Sequence, residues 1–368
     1  MKIVQTCQTK SWGGLEMQTV IISRALKNCG HEVVILCAPD SAIEKEASSL
    51  GITVAPLFTS KINRYFKISS FFRKFRPDII HSHLSHDLGV VVPALFIAHL
   101  KTPLILTKRM GSDVKKKDLI HRFLYNRVNL VYTISNYIRT SVLETCPVKE
   151  TKVKLLLNAI DLDKYHPEKF NQVEQRKKYQ IPLDKTVVGF IGRLSWAKGI
   201  RELIEAAGTL SEKYPDLFFV FTGKATYTQE YMEQETRELA QKCLVKANYI
   251  FTGFEANVSE ILPAFDILAF PSYKESFGNV VLEAMAMKVP VAASGSGGVP
   301  DMITHLETGL LFEPRNADSL ANSLKLLVDD PSLREKIRTN ARKHVEEHFR
   351  FENYIATLES DYRTLSQK

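Results

Sequence analysis

With 368 residues, the chain is long enough for about two domains of ordinary size. Its apolar and charged fractions, 45% and 24%, are those of a soluble globular protein. The five cysteines are odd in number and form no Cys-x-x-Cys pair, which argues against a disulfide scaffold or zinc site and favours a reducing cytosol. The N-terminus lacks the long apolar stretch of a signal peptide, and the apolar stretch Leu88–Thr107 is interrupted too often to span a bilayer. The sequence therefore predicts a cytoplasmic protein.

Short apolar strands alternate with helices along both halves of the chain. In the first half we predict a helix over Glu16–Cys29 and strands at Ile3–Val4, Glu32–Cys37, Asp78–His81, Leu104–Thr107 and Leu130–Ile134. In the second half we predict a helix over Ile200–Tyr214 and strands at Thr186–Ile191, Phe218–Phe221, Tyr249–Phe251, Ile267–Phe270 and Val289–Ala293. This alternation predicts two α/β domains, each a doubly wound parallel sheet covered by helices. The polar stretch Pro167–Lys185 is the predicted linker.

The net charge of +8 is concentrated in the first half of the chain. Much of the excess lies in Lys61–Arg76, which has interleaved aromatics and no acidic residue, and in Lys115–Lys117. A basic amphipathic helix with aromatics is typical of a membrane-surface element, which makes an anionic membrane a candidate partner. The alternative is a surface helix whose Phe side chains face the core while its cations are solvated. We predict no nucleic-acid partner, because no nucleic-acid-binding motif accompanies the charge.

Domains of this class bind ligands beyond the carboxyl ends of their strands. The pair Gly223-Lys224 lacks the earlier glycine and the following Ser or Thr of a P-loop, which excludes a standard ATPase loop. The first helix is not opened by Gly-x-Gly-x-x-Gly, which argues against a dinucleotide enzyme.

Two loops at predicted strand ends are suited to phosphate. Gly13 and Gly14 precede the first helix, where paired glycines let the backbone approach a ligand and free N–H groups meet an anion. The loop Gly192–Gly199 carries Arg193 and Lys198, whose charges suit a pyrophosphate. The alternatives are an ordinary tight turn and two solvated surface cations.

The third loop, Glu275–Glu283, places a carboxylate on either side of a predicted helix start. Gly278 and Asn279 should lie at that start, with their N–H groups directed at an anion. One carboxylate can accept hydrogen bonds from the hydroxyls of a sugar, and the other from those of a ribose. Alternatively, Glu275 is solvated and Glu283 pairs with a nearby cation.

As a set, these motifs resemble family 4 of the retaining glycosyltransferases, which have the GT-B fold. The likeness rests on the two glutamates separated by seven residues, the Gly-Arg-Leu-x-x-x-Lys-Gly loop and the early Gly-Gly-x-Glu, and it extends over residues 158–167 and 309–312. It implies two Rossmann-like domains facing across a cleft. Residues 1–168 plus about 350–368 would form the acceptor-side domain with a C-terminal crossover helix, and residues 169–349 the nucleotide-sugar-binding domain.

The resemblance assigns a role to each motif residue. Arg193 and Lys198 would neutralise the donor diphosphate as the glycosidic bond breaks. Glu275 would bind the 3- and 4-hydroxyls of the donor sugar, and Glu283 the nucleotide ribose. Together with His83, which matches a histidine beside the donor sugar, Arg193, Lys198 and Glu275 are the predicted catalytic residues.

The predicted donor site also includes backbone groups of the loops. Its members are Gly13, Gly14, Arg193, Lys198, Glu275, Phe277, Gly278, Asn279, Val280 and Glu283. Because members of the family use no metal, no cofactor is expected beyond the nucleotide-diphosphate sugar as co-substrate. Asp161-Leu162-Asp163 is accordingly interpreted as a structural turn, and His81, which ends a buried strand, as a core residue.

Three positions depart from the family pattern. Lys108 and Arg109 replace a histidine, and two cations there suggest an anionic acceptor, such as a phosphorylated lipid or a core oligosaccharide. Together with Glu16 they form the predicted acceptor side. Lys288 stands where a glycine usually ends a helix. Lys224 replaces a small or acidic residue, which bears on nucleotide or donor choice.

These features predict a retaining, metal-independent hexosyltransferase that acts on a lipid-linked or surface-polysaccharide acceptor of the lipopolysaccharide or exopolysaccharide type. Retention follows from the resemblance alone, and front-face attack is favoured because no nucleophilic carboxylate stands out. Two alternatives stay open: a soluble sugar or sugar-phosphate synthase of the same fold, and a non-catalytic sugar-nucleotide-binding protein. Peripheral attachment to the inner face of the cell membrane is a further expectation.

Overall fold

The computed structural model describes residues 1–59, 63–112, 114–226 and 229–367. The chain forms two compact units. Unit 1 comprises Met1–Leu157 and the chain from Glu352 onward, and unit 2 comprises Asn158–Phe351. Lys61 and Ile62 of the predicted basic segment lie outside the described residues.

Unit 1 is built on a parallel sheet that has seven strands in the described part of the chain. Strands β1–β7 are Lys2–Cys7, Glu32–Cys37, Thr53–Ala55, Ile79–Ser82, Leu104–Lys108, Leu130–Thr133 and Val153–Leu155. Their order across the sheet is β3-β2-β1-β4-β5-β6-β7. Helices α1–α6 are Gly14–Asn28, Ala42–Ser49, Arg64–Phe75, Leu88–Ala98, Leu119–Asn126 and Asn136–Thr145.

Unit 2 repeats this design with a parallel sheet of six strands within the described ranges. Strands β8–β13 are Thr186–Ile191, Leu217–Thr222, Asn248–Gly253, Ile267–Phe270, Val291–Ser294 and Leu310–Phe312, in the order β10-β9-β8-β11-β12-β13. Helices α7–α13 are Gln172–Lys178, Ile200–Ser211, Tyr231–Cys243, Val258–Ile261, Asn279–Ala286, Ala317–Asp329 and Pro331–His348. In both sheets the strand order reverses beside the first strand, which confirms the predicted doubly wound class.

The final helix, α14 (Phe351–Ser366), packs on unit 1. Its Asp361 accepts a hydrogen bond from Tyr132 at 2.5 Å and pairs with Lys154 at 2.7 Å. Its Glu359 lies 2.6 Å from the ring of His31. Polar contacts over this length of chain hold the C-terminal helix to the first unit.

The prediction missed the strands β3 and β7. Each has only three residues, none of them fully buried, and each lies at an edge of the first sheet. Edge strands of this length lack the apolar run that marks a buried parallel strand.

The stretch Pro167–Lys185, predicted as a linker, is folded onto unit 2. Helix α7 begins after Asn171, whose side chain accepts hydrogen bonds from the first-turn N–H groups. Within this helix Arg176 is buried and donates to the carboxylate of Asp266 at 2.7 Å and to the carbonyl of Ala264 at 3.0 Å. The linker prediction is therefore wrong, because the buried Arg176 anchors the segment to two residues farther along unit 2.

Residues 158–168 also belong to unit 2. Ile160 exchanges backbone hydrogen bonds with the chain end of that unit, donating to Phe349 at 2.8 Å and accepting from Phe351 at 3.1 Å. The chain therefore enters unit 2 ahead of the boundary that the sequence places after Glu168.

The described part of the basic segment forms α3, and its apolar side turns inward. Ile68 and Phe72 are buried, whereas Lys67 and Lys74 are exposed and Phe66 is the exception among the aromatics. This arrangement matches the alternative of a surface helix with solvated cations. Across the described ranges, no helix combines the length and the apolarity that crossing a bilayer requires.

Lys288 follows the end of α11 with a φ of 58°. A side chain in this left-handed region costs about 1 kcal/mol relative to glycine. We therefore expect Lys288→Gly to raise the free energy of unfolding of unit 2 by about 1 kcal/mol in urea denaturation. The control, Lys325→Gly inside α12, should lower it by about the same amount. Equal destabilisation by both variants would contradict the prediction.

Candidate active site

The loop after β8 holds Arg193 and Lys198. It ends at Gly199, where φ is 70° and a Cβ atom would lie 2.2 Å from the carbonyl oxygen of Pro271, so that only glycine fits. Arg193 is exposed to solvent, and Lys198 Nζ lies 2.5 Å from Glu275 Oε2. The structure thus brings together a cation and a carboxylate that are distant in sequence.

Glu275 is also held by its own loop. Ser272 Oγ donates to Glu275 Oε2 at 3.3 Å, and the Gly298 N–H donates to the backbone oxygen of Glu275 at 3.0 Å. A Cβ atom at Gly297, where φ is 62°, would lie 2.0 Å from that same oxygen. The side chain keeps 17% of its surface exposed, so the carboxylate is fixed and still accessible to a ligand.

Helix α11 begins where the sequence predicts. Gly278 caps it with a φ of 100°, and Asn279 is its first residue, followed by Val280. The ring of Phe277 is buried 6.4 Å from that of Phe349 and anchors the turn. The first N–H groups of a helix lack partners within the helix, and they carry partial positive charge. An anion is therefore favoured at this end of α11.

Glu283 lies farther along α11 and is hydrogen-bonded to the hydroxyl of Tyr165. Burial raises the pKa of the Glu283 carboxyl, and the Tyr165 hydrogen bond and the charge of Lys164 oppose this effect. Tyr165 is itself fixed by Arg342, which donates to the carbonyl oxygens of Tyr165 at 2.8 Å and Ala286 at 2.7 Å. The hydrogen-bond partner of Glu283 is thus the phenol of Tyr165, whereas the charge of Lys164 acts on the Glu283 carboxyl electrostatically.

The sequence analysis did not single out Tyr165. The residue lies within the segment 158–167, which carried part of the family resemblance, so a signal was present without a role attached to it. Asn158, at the start of this segment, donates its amide to Asn279 Oδ1 at 3.1 Å. The segment therefore supports the beginning and the middle of α11 with two side chains.

In unit 1, the paired glycines lie at the start of α1. Gly13 is its cap and Gly14 its first residue. Among the described residues, a Cβ atom at Gly14 would meet nothing within 4 Å. Packing within the chain therefore does not require glycine there, whereas close approach of a ligand would. Glu16, predicted on the acceptor side, is buried in the same turn.

His81 and His83 are buried and stacked, with ring centroids 4.5 Å apart. Burial lowers the pKa of both side chains, that of His81 to about 3, and the charge of Arg109 adds to the effect. Both imidazoles are therefore neutral at physiological pH. His83 Nε2 donates to Gln5 Oε1 at 2.7 Å, which leaves Nδ1 as an acceptor. In the described part of the chain, this Nδ1 has no hydrogen-bond partner.

His81 is the core residue that the sequence predicts. Its Nδ1 lies 2.5 Å from the hydroxyl of Tyr362 and its Nε2 2.6 Å from Thr107 Oγ1. The Tyr362 hydroxyl also accepts a long hydrogen bond from Gln5 Nε2 at 3.5 Å. Helix α14 thereby contributes to the polar network that surrounds the two histidines.

Lys108 and Arg109, predicted on the acceptor side, are both buried. Lys108 Nζ donates to Ser85 Oγ at 2.9 Å, and burial lowers the pKa of its ammonium group. Arg109 is hydrogen-bonded to Tyr354 of α14. These two consecutive cations therefore lie inside unit 1.

Asp87 is a further buried acid that the sequence analysis missed. Thr6 Oγ1 donates to its Oδ2 at 2.7 Å, and burial raises its pKa to about 7. Its Oδ1 has no hydrogen-bond partner among the described residues. The available signal was a charged residue directly before the apolar helix α4.

The raised pKa of Asp87 makes the stability of the chain depend on pH. Because the pKa is about 7 in the folded chain and 3.8 otherwise, the stabilising contribution is complete below about pH 4 and is lost as the pH rises to 7. We expect wild type to lose about 1 kcal/mol per pH unit relative to Asp87→Asn in this window, measured by urea denaturation. The exposed control Asp163→Asn should parallel wild type. A constant difference between wild type and Asp87→Asn would contradict the prediction.

Metal-binding chemistry has no obvious location in the described ranges, where no group of three or more His, Cys, Asp or Glu side chains could hold an ion. In Asp161-Leu162-Asp163, the first carboxylate accepts hydrogen bonds from the N–H groups of Asp163 at 2.9 Å and Lys164 at 3.0 Å. This motif is the structural turn that the sequence predicts. Metal independence itself stays a prediction.

Comparison with known proteins identifies the class. Residues 12–164 match the profile described as Glycosyltransferase Family 4, and residues 171–344 match Glycosyl transferases group 1. The D-inositol 3-phosphate glycosyltransferase of Corynebacterium urealyticum is 30% identical over 308 residues, which are 78% of this chain and 72% of that protein. The capsular polysaccharide biosynthesis glycosyltransferase CapM of Staphylococcus aureus is 28% identical over 315 residues, which are 83% and 81% of the two chains.

The fold is shared with solved structures. HepE from Anabaena, solved in complex with UDP, superposes with a TM-score of 0.87 at 22% identity, covering 99% of this chain and 100% of that one. The two doubly wound units are therefore the Rossmann-like domains of a GT-B protein. The chain belongs to glycosyltransferase family 4, the glycosyl transferases group 1, and is a glycosyltransferase.

Proposed function

We propose that this enzyme transfers a sugar from a nucleotide-diphosphate sugar, with retention of anomeric configuration and without a metal ion. The contact between Lys198 and Glu275 carries the proposal. A cation and a carboxylate fixed 2.5 Å apart suit a ligand that offers an anionic group to one and hydroxyl groups to the other. A sugar joined to a diphosphate offers both within a few bonds.

Charge development during the reaction explains the arrangement. As the glycosidic bond breaks, negative charge grows on the leaving diphosphate, where Lys198, Arg193 and the start of α11 would stabilise it. Because a metal ion otherwise supplies this positive charge, the two cations and the helix support transfer without one. Glu275 would hold the sugar hydroxyls, and Glu283 the ribose. The UDP bound to HepE supports a nucleotide ligand for this fold.

Within unit 1, taken by itself, two groups suit a nucleotide sugar. Gly14 leaves space for close approach of the diphosphate to the backbone. The neutral imidazole of His83 offers an acceptor, Nδ1, to a sugar hydroxyl. A neutral histidine suits this role, because its unprotonated nitrogen can accept a hydrogen bond from a hydroxyl.

For the acceptor we propose a lipid-linked or surface-polysaccharide glycan that carries an anionic group. CapM is named for capsular polysaccharide biosynthesis, which supports a polysaccharide acceptor. Lys108 and Arg109, both buried in unit 1, are the cationic side chains that such an anionic group would meet. The relative named for D-inositol 3-phosphate favours a second candidate, a soluble phosphorylated acceptor. Both candidates share an anionic acceptor.

A thermal-shift screen against UDP, GDP, ADP and CMP sugars in the presence of EDTA tests the donor part. A true donor should raise the melting temperature, because it binds only the folded chain. Nuclear magnetic resonance of the transfer product then reports the configuration at the new bond. If no nucleotide sugar raises the melting temperature, the proposed donor class is wrong. A product with inverted configuration would overturn retention, and loss of activity in EDTA would overturn metal independence. Full turnover by an Arg109→Ala enzyme would contradict the proposal that the acceptor is anionic.

A further inference from the structure

Helix α5 of unit 1 exposes apolar side chains that a helix in a soluble unit would normally bury. Leu119, Ile120 and Phe123 are 81%, 70% and 53% exposed, whereas Tyr125 is buried. The preceding loop adds Val114, which is 70% exposed. The apolar surface is therefore larger than a single stray side chain.

The three residues of α5 form one continuous stripe. At about 100° per residue, positions i, i+1 and i+4 fall within a single arc of the helix, and i and i+4 are direct neighbours. An amphipathic helix on a globular unit usually turns such a stripe to the core. Here the stripe faces solvent, which marks an interaction surface rather than ordinary variation.

Positive charge surrounds the stripe. Lys115 and Lys117 precede α5 and Arg122 lies within it, all three exposed. From Met110 to Phe123 the sequence carries four Lys or Arg against two Asp. One of the two acids, Asp118, caps α5: its side chain accepts a hydrogen bond from the N–H of His121 at 3.0 Å and also pairs with the His121 ring.

We propose that Leu119, Ile120 and Phe123, with Lys115, Lys117 and Arg122, form a surface that docks unit 1 on an anionic lipid membrane; we name it the α5 surface. Apolar side chains that enter the acyl boundary and cations that meet lipid phosphates are the two components of interfacial binding. The exposed cations favour an anionic lipid surface over a protein groove. Helix α3, the other basic helix, turns its main apolar residues inward.

The α5 surface shares no residue with the candidate active site, and it follows the acceptor-side cations closely in the chain. The stretch begins at Met110, next to Arg109. Docking would therefore place the acceptor side of unit 1 near the membrane that holds a lipid-linked acceptor. Only this consequence rests on the proposed function, since membrane binding is measured without turnover.

Co-sedimentation of the full chain with phosphatidylcholine vesicles, with or without phosphatidylglycerol, tests the proposal. Leu119→Ser/Phe123→Ser removes the stripe, and its control is Val245→Ser, an equally exposed apolar residue of unit 2. Lys115→Gln/Lys117→Gln removes charge, and its control is Lys325→Gln/Lys343→Gln, two exposed cations of unit 2. We expect each α5 variant to lose about tenfold or more in affinity for anionic vesicles, with the controls unchanged.

Absence of wild-type binding to anionic vesicles at physiological ionic strength would overturn the proposal. So would equal binding by Leu119→Ser/Phe123→Ser and Val245→Ser. Light scattering without vesicles gives a third outcome: a smaller assembly for the α5 variant than for wild type would assign the surface to a second protein chain. Thermal shifts with nucleotide sugars should be identical in all these variants, so that failure of docking leaves the donor proposal standing.

Discussion

The Lys198→Met enzyme is expected to lose about 10²–10³-fold in kcat, measured with saturating nucleotide sugar. The ammonium group of Lys198 would stabilise charge that develops on the leaving diphosphate, so its loss falls on the transition state more than on binding. Methionine keeps an apolar stem of similar length. KM for the donor should therefore change much less than kcat.

Two further variants distinguish a loss of catalysis from a loss of structure. Removing Lys198 leaves Glu275 without its charged partner, so Lys198→Met/Glu275→Gln is the matched double variant. Because both residues would act on the same donor, the two losses should combine less than additively. Lys185→Met, which breaks an ion pair with Asp216 elsewhere in unit 2, should keep full activity. A higher KM for the donor with an unchanged kcat would contradict the proposed role of Lys198.

The second large effect is expected on nucleotide binding, when Glu283 or Tyr165 is substituted. Glu283→Gln should raise the Kd for the nucleotide about tenfold or more, since a charged acceptor for the ribose hydroxyls is lost. Tyr165→Phe should weaken binding less, because it removes only the hydroxyl that holds the carboxylate in place. Isothermal titration calorimetry with the nucleotide that gives the largest thermal shift measures both.

Tyr165→Phe should also change the pH dependence of nucleotide binding. The Tyr165 hydrogen bond lowers the pKa of Glu283, and burial raises it. Removing the hydroxyl therefore raises this pKa further, so that affinity should begin to fall at a higher pH on acidification than in wild type. Tyr214→Phe, which loses a hydroxyl donating to Asp329 at 3.0 Å, is the control. Identical pH profiles for Tyr165→Phe and Tyr214→Phe would exclude the positioning role.

The fold class could be predicted from the sequence because its signals are local. Apolar runs such as Glu32–Cys37 and Ile267–Phe270 mark buried parallel strands whatever surrounds them. Turn chemistry is local as well: the start of α11 at Gly278 and the positive φ of Lys288 follow from a few neighbouring residues. The edge strands and the folded stretch Pro167–Lys185 escaped prediction, because pairing and packing with distant residues stabilise them.

The candidate site divides in the same way. Its loops follow from strand ends, because parallel sheets bring their carboxyl ends to one edge. The partners that fix its side chains come from far along the chain: Tyr165 for Glu283, and Tyr362 for His81 across 281 residues. No local sequence pattern predicts such long-range pairs.

By itself, the sequence determined two doubly wound domains, the loops at their strand ends and the chemical types of the groups there. Only the tertiary structure decided which of these groups are buried, neutral or paired. Helices α3 and α5 both carry aromatics among cations, yet Phe72 is buried and Phe123 exposed. The physical reason is that amphipathicity belongs to one helix, whereas burial depends on what packs against it.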